Sequence, residues 1–172
     1  MPFRYNGEPR SLSGIRIHTL GSFFVRLYVP ELPPSKLWLP GEGVTCRYNT
    51  CDKIEYGTIV ATFNKKGKFG SSEGEGDDYG FAAFYLKEDG FGTHVLGVNS
   101  KRGKGGKGGV VEAMTVPSSN YSSTYDSFRS YSLQHELPSR ILRDLRVVEI
   151  TYPFKSREYD WSWSSVKFDD DW

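Results

Sequence analysis

"YGFAAFYLKEDGFGTHVLGVN", residues 79–99, is the stretch that decides the fold class of this 172-residue chain. Two apolar runs flank the dipeptide Asp89-Gly90, and an Asp-Gly pair between apolar runs is a strong signal for a β-hairpin. Both runs are short and contain several aromatic and β-branched residues, which favour strands over helices. The stretch therefore predicts two antiparallel strands joined by a tight turn.

Outward from this hairpin, most of the chain repeats the pattern of short apolar runs separated by turn residues. Further strands are predicted in 14–30 (two strands broken at Gly21), 36–48 (a strand, a Pro-Gly turn and a strand), 53–63, 109–116, 146–154 and 157–168. Only "ELPSRILRDL", residues 136–145, has apolar residues at helical spacing. The sequence predicts an all-β fold: a single antiparallel β-sandwich of about eight to ten strands with one short helix, in one domain over residues 1–172.

Charge and hydropathy exclude several classes of protein. The formal net charge is +1, so no strong overall field draws the chain to nucleic acid or to an anionic membrane. No apolar run approaches the roughly 20 residues that a membrane-spanning helix needs. The N-terminal residues have no apolar signal-peptide core. We therefore expect a soluble protein, cytoplasmic or virion-associated, that is not exported by the usual route.

Cysteine and histidine are too sparse to predict a disulfide framework or a metal site. The two cysteines, Cys46 and Cys51, are separated by a segment that could form a turn, so a single bridge stays open in an oxidising compartment. The three histidines, His18, His94 and His135, are scattered along the chain. We expect no metal and no cofactor.

Two glycine motifs match catalytic patterns by letter but not by context. "GKGGKGGV", residues 103–110, has the spacing of a kinase glycine-rich loop, yet the chain lacks the other kinase motifs and the length for a helical lobe. "GSSEG", residues 70–74, has the spacing of a hydrolase nucleophile elbow, but no helical pattern follows it. With no coherent acid, base, nucleophile or metal set, the sequence predicts that the protein is not an enzyme.

Two polar glycine-rich loops, near 64–78 and 100–109, carry clustered positive charge. Lysines on a glycine-rich backbone can bind phosphate or sulfate groups without one fixed geometry, although a solvated hairpin tip has the same composition. Two tryptophans two residues apart share one face of a predicted strand, where they either pack in the core or form a platform for a sugar, a base or a lipid. The predicted ligand-binding residues are Lys101, Arg102, Lys104, Lys107, Trp161 and Trp163.

The hairpin of residues 79–99 resembles the central hairpin of actinoporin-type cytolysins and fungal fruit-body lectins, and "LWLPGEGVTCRY", residues 37–48, resembles a Pro-Gly turn in the related aegerolysins. The resemblance implies a compact β-sandwich that binds membrane lipids or glycans. Lysine and glycine in residues 101–109 stand where the cytolysins have an aromatic phosphocholine loop, and no amphipathic N-terminal helix is visible. Pore formation is therefore not expected.

These features predict a non-enzymatic binding protein that contacts an anionic lipid, a glycan or another phosphate-bearing surface through a basic glycine-rich loop. The first alternative is a viral or phage structural or matrix-type protein that self-assembles into a homo-oligomer. The second alternative is a protein that binds single-stranded nucleic acid with its basic loops and tryptophans.

Overall fold

The protein is described here by a computed structural model, which covers residues 3–19, 21–44, 54–89, 92–100, 108–117 and 145–150. Strands and one short α-helix make up the regular structure of these ranges. The strands are β1 (Arg16–Ile17), β2 (Leu39–Gly43), β3 (Ile59–Thr62), β4 (Gly70–Ser71), β5 (Gly74–Glu75), β6 (Ala82–Asp89), β7 (Gly92–Asn99), β8 (Gly109–Pro117) and β9 (Leu145–Glu149). The α-helix is α1 (Phe23–Tyr28), and Pro9–Leu12 and Ser35–Leu37 form 3-10 turns.

Seven of the strands form one sheet in the order β1-β8-β7-β6-β3-β9-β2, and β4 pairs with β5 in a small second sheet. Every pairing between these strands is antiparallel. The prediction of an all-β fold built from antiparallel strands is confirmed.

The seven-stranded sheet buries apolar side chains on both faces. We call the side that packs against α1 the helix face; Phe84 of β6 meets Phe24 of α1 there, with ring centroids 5.2 Å apart. The other side, the opposite face, buries a second cluster around Tyr85, Val95 and Met114. Because side chains alternate between the two faces along each strand, the face of any residue in the sheet follows from its register.

The hairpin of residues 79–99 forms as predicted, with β6 and β7 paired from Phe84↔Leu96 to Asp89↔Gly92. The strands predicted within 53–63 and 109–116 are also confirmed, as β3 and β8. Within the strand predicted over 146–154, the described residues form most of β9. The segments whose sequence most strongly favours a strand therefore form strands in the fold.

The second strand predicted in residues 14–30 is wrong, because Phe23–Tyr28 form α1. The run is apolar at almost every position, so it satisfies the helical period as well as the strand period. In the fold, Phe24 and Val25 of α1 and Val29, directly after it, are buried in the core cluster on the helix face. The packing of these apolar side chains against β6 favours the helix over the strand.

The Pro-Gly turn predicted in residues 36–48 is also wrong. Pro40 and Gly41 lie inside β2, which pairs with β9 and has a shift of register between Pro40 and Gly43. β2 is the last strand in the order of the large sheet, and proline is tolerated in an edge strand because it needs no N–H there. The loop predicted over 64–78 contains the β4–β5 hairpin.

Other predictions fall outside the described residues. These are the strand over 157–168 and the helix over 136–145, apart from Leu145, which begins β9. Within the described ranges, no helix has the length and apolar character to cross a membrane.

Candidate active site

A β-bulge in β6 changes which face of the sheet its last residues occupy. Tyr85 pairs with Val95 and the next pair is Lys87↔His94, so Leu86 is an extra residue on β6. Beyond this bulge the odd-numbered residues of β6 lie on the helix face, whereas Tyr85 lies on the opposite face. The bulge thus brings Lys87 and Asp89 to the side of the sheet that carries His94.

His94 lies between two polar partners on the helix face. Its Nε2 is 2.9 Å from Oδ2 of Asp89, and its Nδ1 is 3.0 Å from Oγ1 of Thr115. Thr115 is the residue directly opposite His94 in the β7–β8 pairing, so the second contact follows from register. The Nε2 contact is close, but the ring N–H does not point at the carboxylate oxygen, so the contact becomes an ion pair when His94 is protonated.

The cluster is neither buried in the core nor fully solvated. The His94 side chain is 20% exposed and that of Asp89 is 32% exposed. Lys87 is more open, and its Nζ lies 3.5 Å from the same Asp89 oxygen. A reacting group can therefore reach these side chains from solvent.

The hydroxyl of Thr115, the imidazole of His94 and the carboxylate of Asp89 lie in a row, and this order determines which ring nitrogen can accept a proton. Asp89 beside Nε2 favours the tautomer of the neutral His94 ring that carries its proton on that nitrogen, and in this tautomer Nδ1 has a free lone pair. That lone pair faces the Thr115 hydroxyl and can take its proton. A nucleophile within hydrogen-bond reach of a base that a third group orients is the general signature of nucleophilic catalysis.

Glu88, the neighbour of Asp89, lies on the other side of the sheet. It pairs with Thr93, one residue out of phase with His94. The pKa of Tyr85 is raised to about 12, first by burial and then by the negative charge of Glu88, which is consistent with both residues lying on the opposite face. Only one of the two adjacent carboxylates therefore belongs to the cluster.

The predicted binding residues lie outside the described residues, so the structure neither groups nor separates them. They are Lys101, Arg102, Lys104, Lys107, Trp161 and Trp163. Cys46 and Cys51 also lie outside, and within the described ranges no group of His, Cys, Asp and Glu could hold a metal.

The two described glycines at the end of "GKGGKGGV" have a structural role. Gly108 has a φ of +66°, and a Cβ there would overlap the carbonyl oxygen of Ile17. A Cβ at Gly109 would overlap the carbonyl oxygen of Asn99. Both glycines allow β8 to enter between β1 and β7, which explains this part of the motif without a phosphate ligand.

The serine motif "GSSEG" forms the β4–β5 hairpin instead of a strand-to-helix elbow. Ser72 is exposed in the turn of this hairpin. A nucleophile elbow needs a helix directly after the serine, and here β5 follows it. The loop that follows has a structural function, because Oδ1 of Asp77 accepts hydrogen bonds from both N and Oγ of Ser22, each at 2.7 Å. Asp77 thereby fixes the residue that precedes α1.

The sequence analysis missed the cluster of Asp89, His94 and Thr115. One signal was present: an aspartate and a histidine flank the predicted hairpin turn, and such residues lie close across the two strands. The sequence does not predict that Asp89 shares a face of the sheet with His94. Regular alternation along β6 would put Asp89 on the same face as Tyr85.

The sequence matches no family model and no curated protein. A comparison of structures does find a match. The chain shares its fold with Type 6 secretion amidase effector 2 (Tae2). The TM-score is 0.55 at 17% sequence identity, and the match covers 90% of this chain and 99% of that one. At this identity the likeness establishes a common fold.

This comparison corrects the sequence-based interpretation. The resemblance to actinoporins, fruit-body lectins and aegerolysins is wrong, because the solved structure that shares the fold is an amidase effector. The prediction of a non-enzymatic binding protein is overturned by the same finding, because the protein that shares the fold is named as an amidase effector. The self-assembling viral protein and the single-stranded nucleic-acid binder have no support from it either. The lipid, glycan and oligonucleotide partners predicted with them are likewise unsupported.

Proposed function

We propose that this protein is an amide hydrolase whose general base is His94. The observation that carries the proposal is the row of contacts from Thr115 Oγ1 to His94 Nδ1 and from His94 Nε2 to Asp89 Oδ2. The shared fold with an amidase effector adds support, since the same architecture there belongs to an enzyme that acts on amides. The two observations are independent, because the fold comparison does not depend on these side chains.

The proposed nucleophile is the Thr115 hydroxyl. Its oxygen forms a bond to the carbonyl carbon of the amide while its proton moves to His94 Nδ1. The C–N bond then breaks, and the same proton passes to the departing amine. A water molecule, deprotonated at Nδ1, hydrolyses the ester left on Thr115 and restores the hydroxyl.

Asp89 and Lys87 have supporting roles in this reaction. The Asp89 carboxylate orients the ring and stabilises the positive charge that His94 acquires when it takes the proton. The Lys87 ammonium lies 3.5 Å from that carboxylate and helps to hold it beside the ring.

The direct test is to measure amine release with a fluorogenic amine reagent after incubation with casein, bacterial peptidoglycan and short peptide amides. We expect release from at least one of these substrates, and a loss of roughly 1,000-fold or more in His94→Ala, because the base is essential to both steps. Thr115→Val should abolish activity, and Thr115→Ser should retain part of it because serine keeps the hydroxyl. Equal activity in His94→Ala and the unchanged chain would refute the proposal.

A thiol control separates the hydroxyl from an alternative nucleophile. Cys46 and Cys51 lie outside the described residues, and the double change to serine should leave amine release unchanged if Thr115 is the nucleophile. Loss of activity in that double variant, with activity retained in Thr115→Val, would remove the hydroxyl role while keeping His94 as the base.

A further inference from the structure

Among the described residues, the outer edge of β8 is only partly covered. β1 pairs with β8 at Gly109 and Val110, and the two residues before β1 extend the contact to Val111. From Glu112 to Pro117, no described strand pairs with this side of β8, although every residue there pairs with β7 on the other side.

The backbone of this edge presents hydrogen-bonding groups outward at alternate residues. Val111 donates its N–H to the carbonyl of Ile15 and accepts from the N–H of Gly14, so its polar groups point away from β7. In an antiparallel sheet the same direction recurs two and four residues later. The N–H and C=O groups of Ala113 and Thr115 therefore point toward the side of β8 that no described strand covers.

An open surface groove of about 570 Å³ lies where the edge begins. Gly14 has a φ of +92°, and the 3-10 turn Pro9–Leu12 before it contacts β8. The groove is lined by Ser13, Gly14, Arg16 and Val110–Ala113. Ala113 is exposed and is the lining residue nearest in sequence to Thr115, which follows two positions later on β8.

We propose that the substrate is an extended peptide that binds as an added β-strand along β8 from Ala113 to Thr115. This inference rests on the proposed amide hydrolysis and names its substrate class. A strand added there runs about 4.8 Å from the backbone of β8, within one side-chain length of the Thr115 hydroxyl. An extended peptide is the chemistry that fits, because it alone repeats N–H and C=O groups at the spacing of Ala113 and Thr115.

The first test measures binding without turnover. The His94→Ala protein keeps the edge and loses the base, so it is titrated against a fluorescein-labelled Ala-Lys-Ala-Ala-Lys-Ala peptide and followed by anisotropy. Two N-methylated versions are compared, one with every amide methylated and one with alternate amides methylated. We expect the unmodified and the alternately methylated peptides to bind within about threefold of each other, because one free edge suffices for strand addition. The fully methylated peptide should bind at least about tenfold more weakly.

The second test changes the protein edge. Ala113→Pro removes an outward N–H, which an edge strand tolerates, and Ala113→Ser is the matched control that keeps it. In the chain with His94 intact, Ala113→Pro should have a KM for a peptide amide about tenfold higher than that of Ala113→Ser, with the two kcat values within about twofold of each other. Circular dichroism on both variants checks that the sheet is retained.

The outcomes separate this inference from the proposed function. Peptide binding with the methylation pattern above, but without cleavage by the unchanged chain, would support strand addition and refute catalysis. Cleavage with equal KM in Ala113→Pro and Ala113→Ser would support catalysis and overturn strand addition. Equal binding of the fully methylated peptide, or no binding of the unmodified one at millimolar concentration, would also overturn it.

Discussion

His94 and Asp89 lie 2.9 Å apart on the helix face of the sheet, although the alternation of β6 before its bulge assigns Asp89 to the opposite face. The extra residue at Leu86 reverses the alternation, and Glu88 takes the side that Asp89 would otherwise occupy. Bulges are known to re-aim side chains near active sites, and here the bulge selects which of two adjacent carboxylates meets the histidine.

Two isosteric changes one residue apart test this selection. Asp89→Asn should lower kcat for amide hydrolysis by roughly 100-fold or more, because the amide cannot stabilise the charged imidazole. Glu88→Gln should leave kcat within about twofold, since its side chain lies on the other face. The measurement is the rate of amine release by both variants under identical conditions. Equal losses in the two would mean that general charge, and not the bulge, explains the effect.

Most of the fold followed from local signals in the sequence. The hairpin of residues 79–99 and the apolar runs of β3 and β8 carry the period of a sheet, and nothing distant contradicts it. The segment 23–28 is different because its unbroken apolar run fits two periods. Its helix is decided by contact with Phe84, which is 60 positions away from Phe24 and invisible to local reasoning.

The candidate site depended on one shift of register. His94 and Thr115 meet because β7 and β8 pair at those positions, and Asp89 joins them because of the bulge. A sequence pattern predicts that strands pair but rarely predicts an extra residue in one of them. The clustered lysines and the paired tryptophans can be identified in the sequence without knowing the register of any strand. The sequence therefore predicted a binding site from those residues instead.

The Tyr85 phenol provides a prediction at alkaline pH. Its pKa is raised to about 12, first by burial and then by Glu88, so the folded state favours the neutral phenol. The resulting stability is fully present below the ordinary value of 10.0 and is lost as pH rises through about 12. Relative to Tyr85→Phe, the unchanged chain should therefore lose about 2 kcal/mol of unfolding free energy between about pH 9 and pH 12. Urea unfolding at both pH values measures this, and a constant difference between the two chains would contradict it.

The hydrogen bond from the Tyr56 hydroxyl to the Glu8 carboxylate provides a prediction at acidic pH. It lowers the pKa of Glu8 below its ordinary 4.5, and the backbone N–H of Arg10 adds to the effect. A lowered carboxyl pKa contributes stability above the ordinary value, and that stability is lost as pH falls through the folded-state pKa. Tyr56→Phe should raise the pKa of Glu8 in an NMR titration. It should also unfold more easily than the unchanged chain at about pH 7, with a smaller difference at about pH 3. An unchanged pKa of Glu8 would show that Tyr56 does not hold the carboxylate.

The contact between Asp77 and Ser22 predicts a clear difference between neighbouring aspartates. Ser22 is fully buried, and Asp77→Ala would leave its N–H and hydroxyl without this acceptor, at a cost of about 1–3 kcal/mol. Asp78 is exposed, so Asp78→Ala should change stability by no more than about 0.5 kcal/mol. Thermal unfolding followed by circular dichroism distinguishes them, since about 1 kcal/mol corresponds to a few degrees in Tm for a chain of this size. Similar Tm values for the two variants would mean that Asp77 does not fix the start of α1.

Two glycines in edge-proximal strands predict opposite responses to alanine. A Cβ at Gly109 would overlap the carbonyl oxygen of Asn99, and because both groups belong to the backbone, neither can rotate away. Gly109→Ala should therefore reduce the free energy of unfolding by about 3 kcal/mol. Gly43 has no atom within 4 Å of its Cβ position and no positive φ, so Gly43→Ala should lie within about 0.5 kcal/mol of the unchanged chain. Urea unfolding of the two variants measures the difference. Equal stability would mean that Gly109 is not required for the close approach of β8 to β7, and a ligand-binding reason for this glycine would have to be sought.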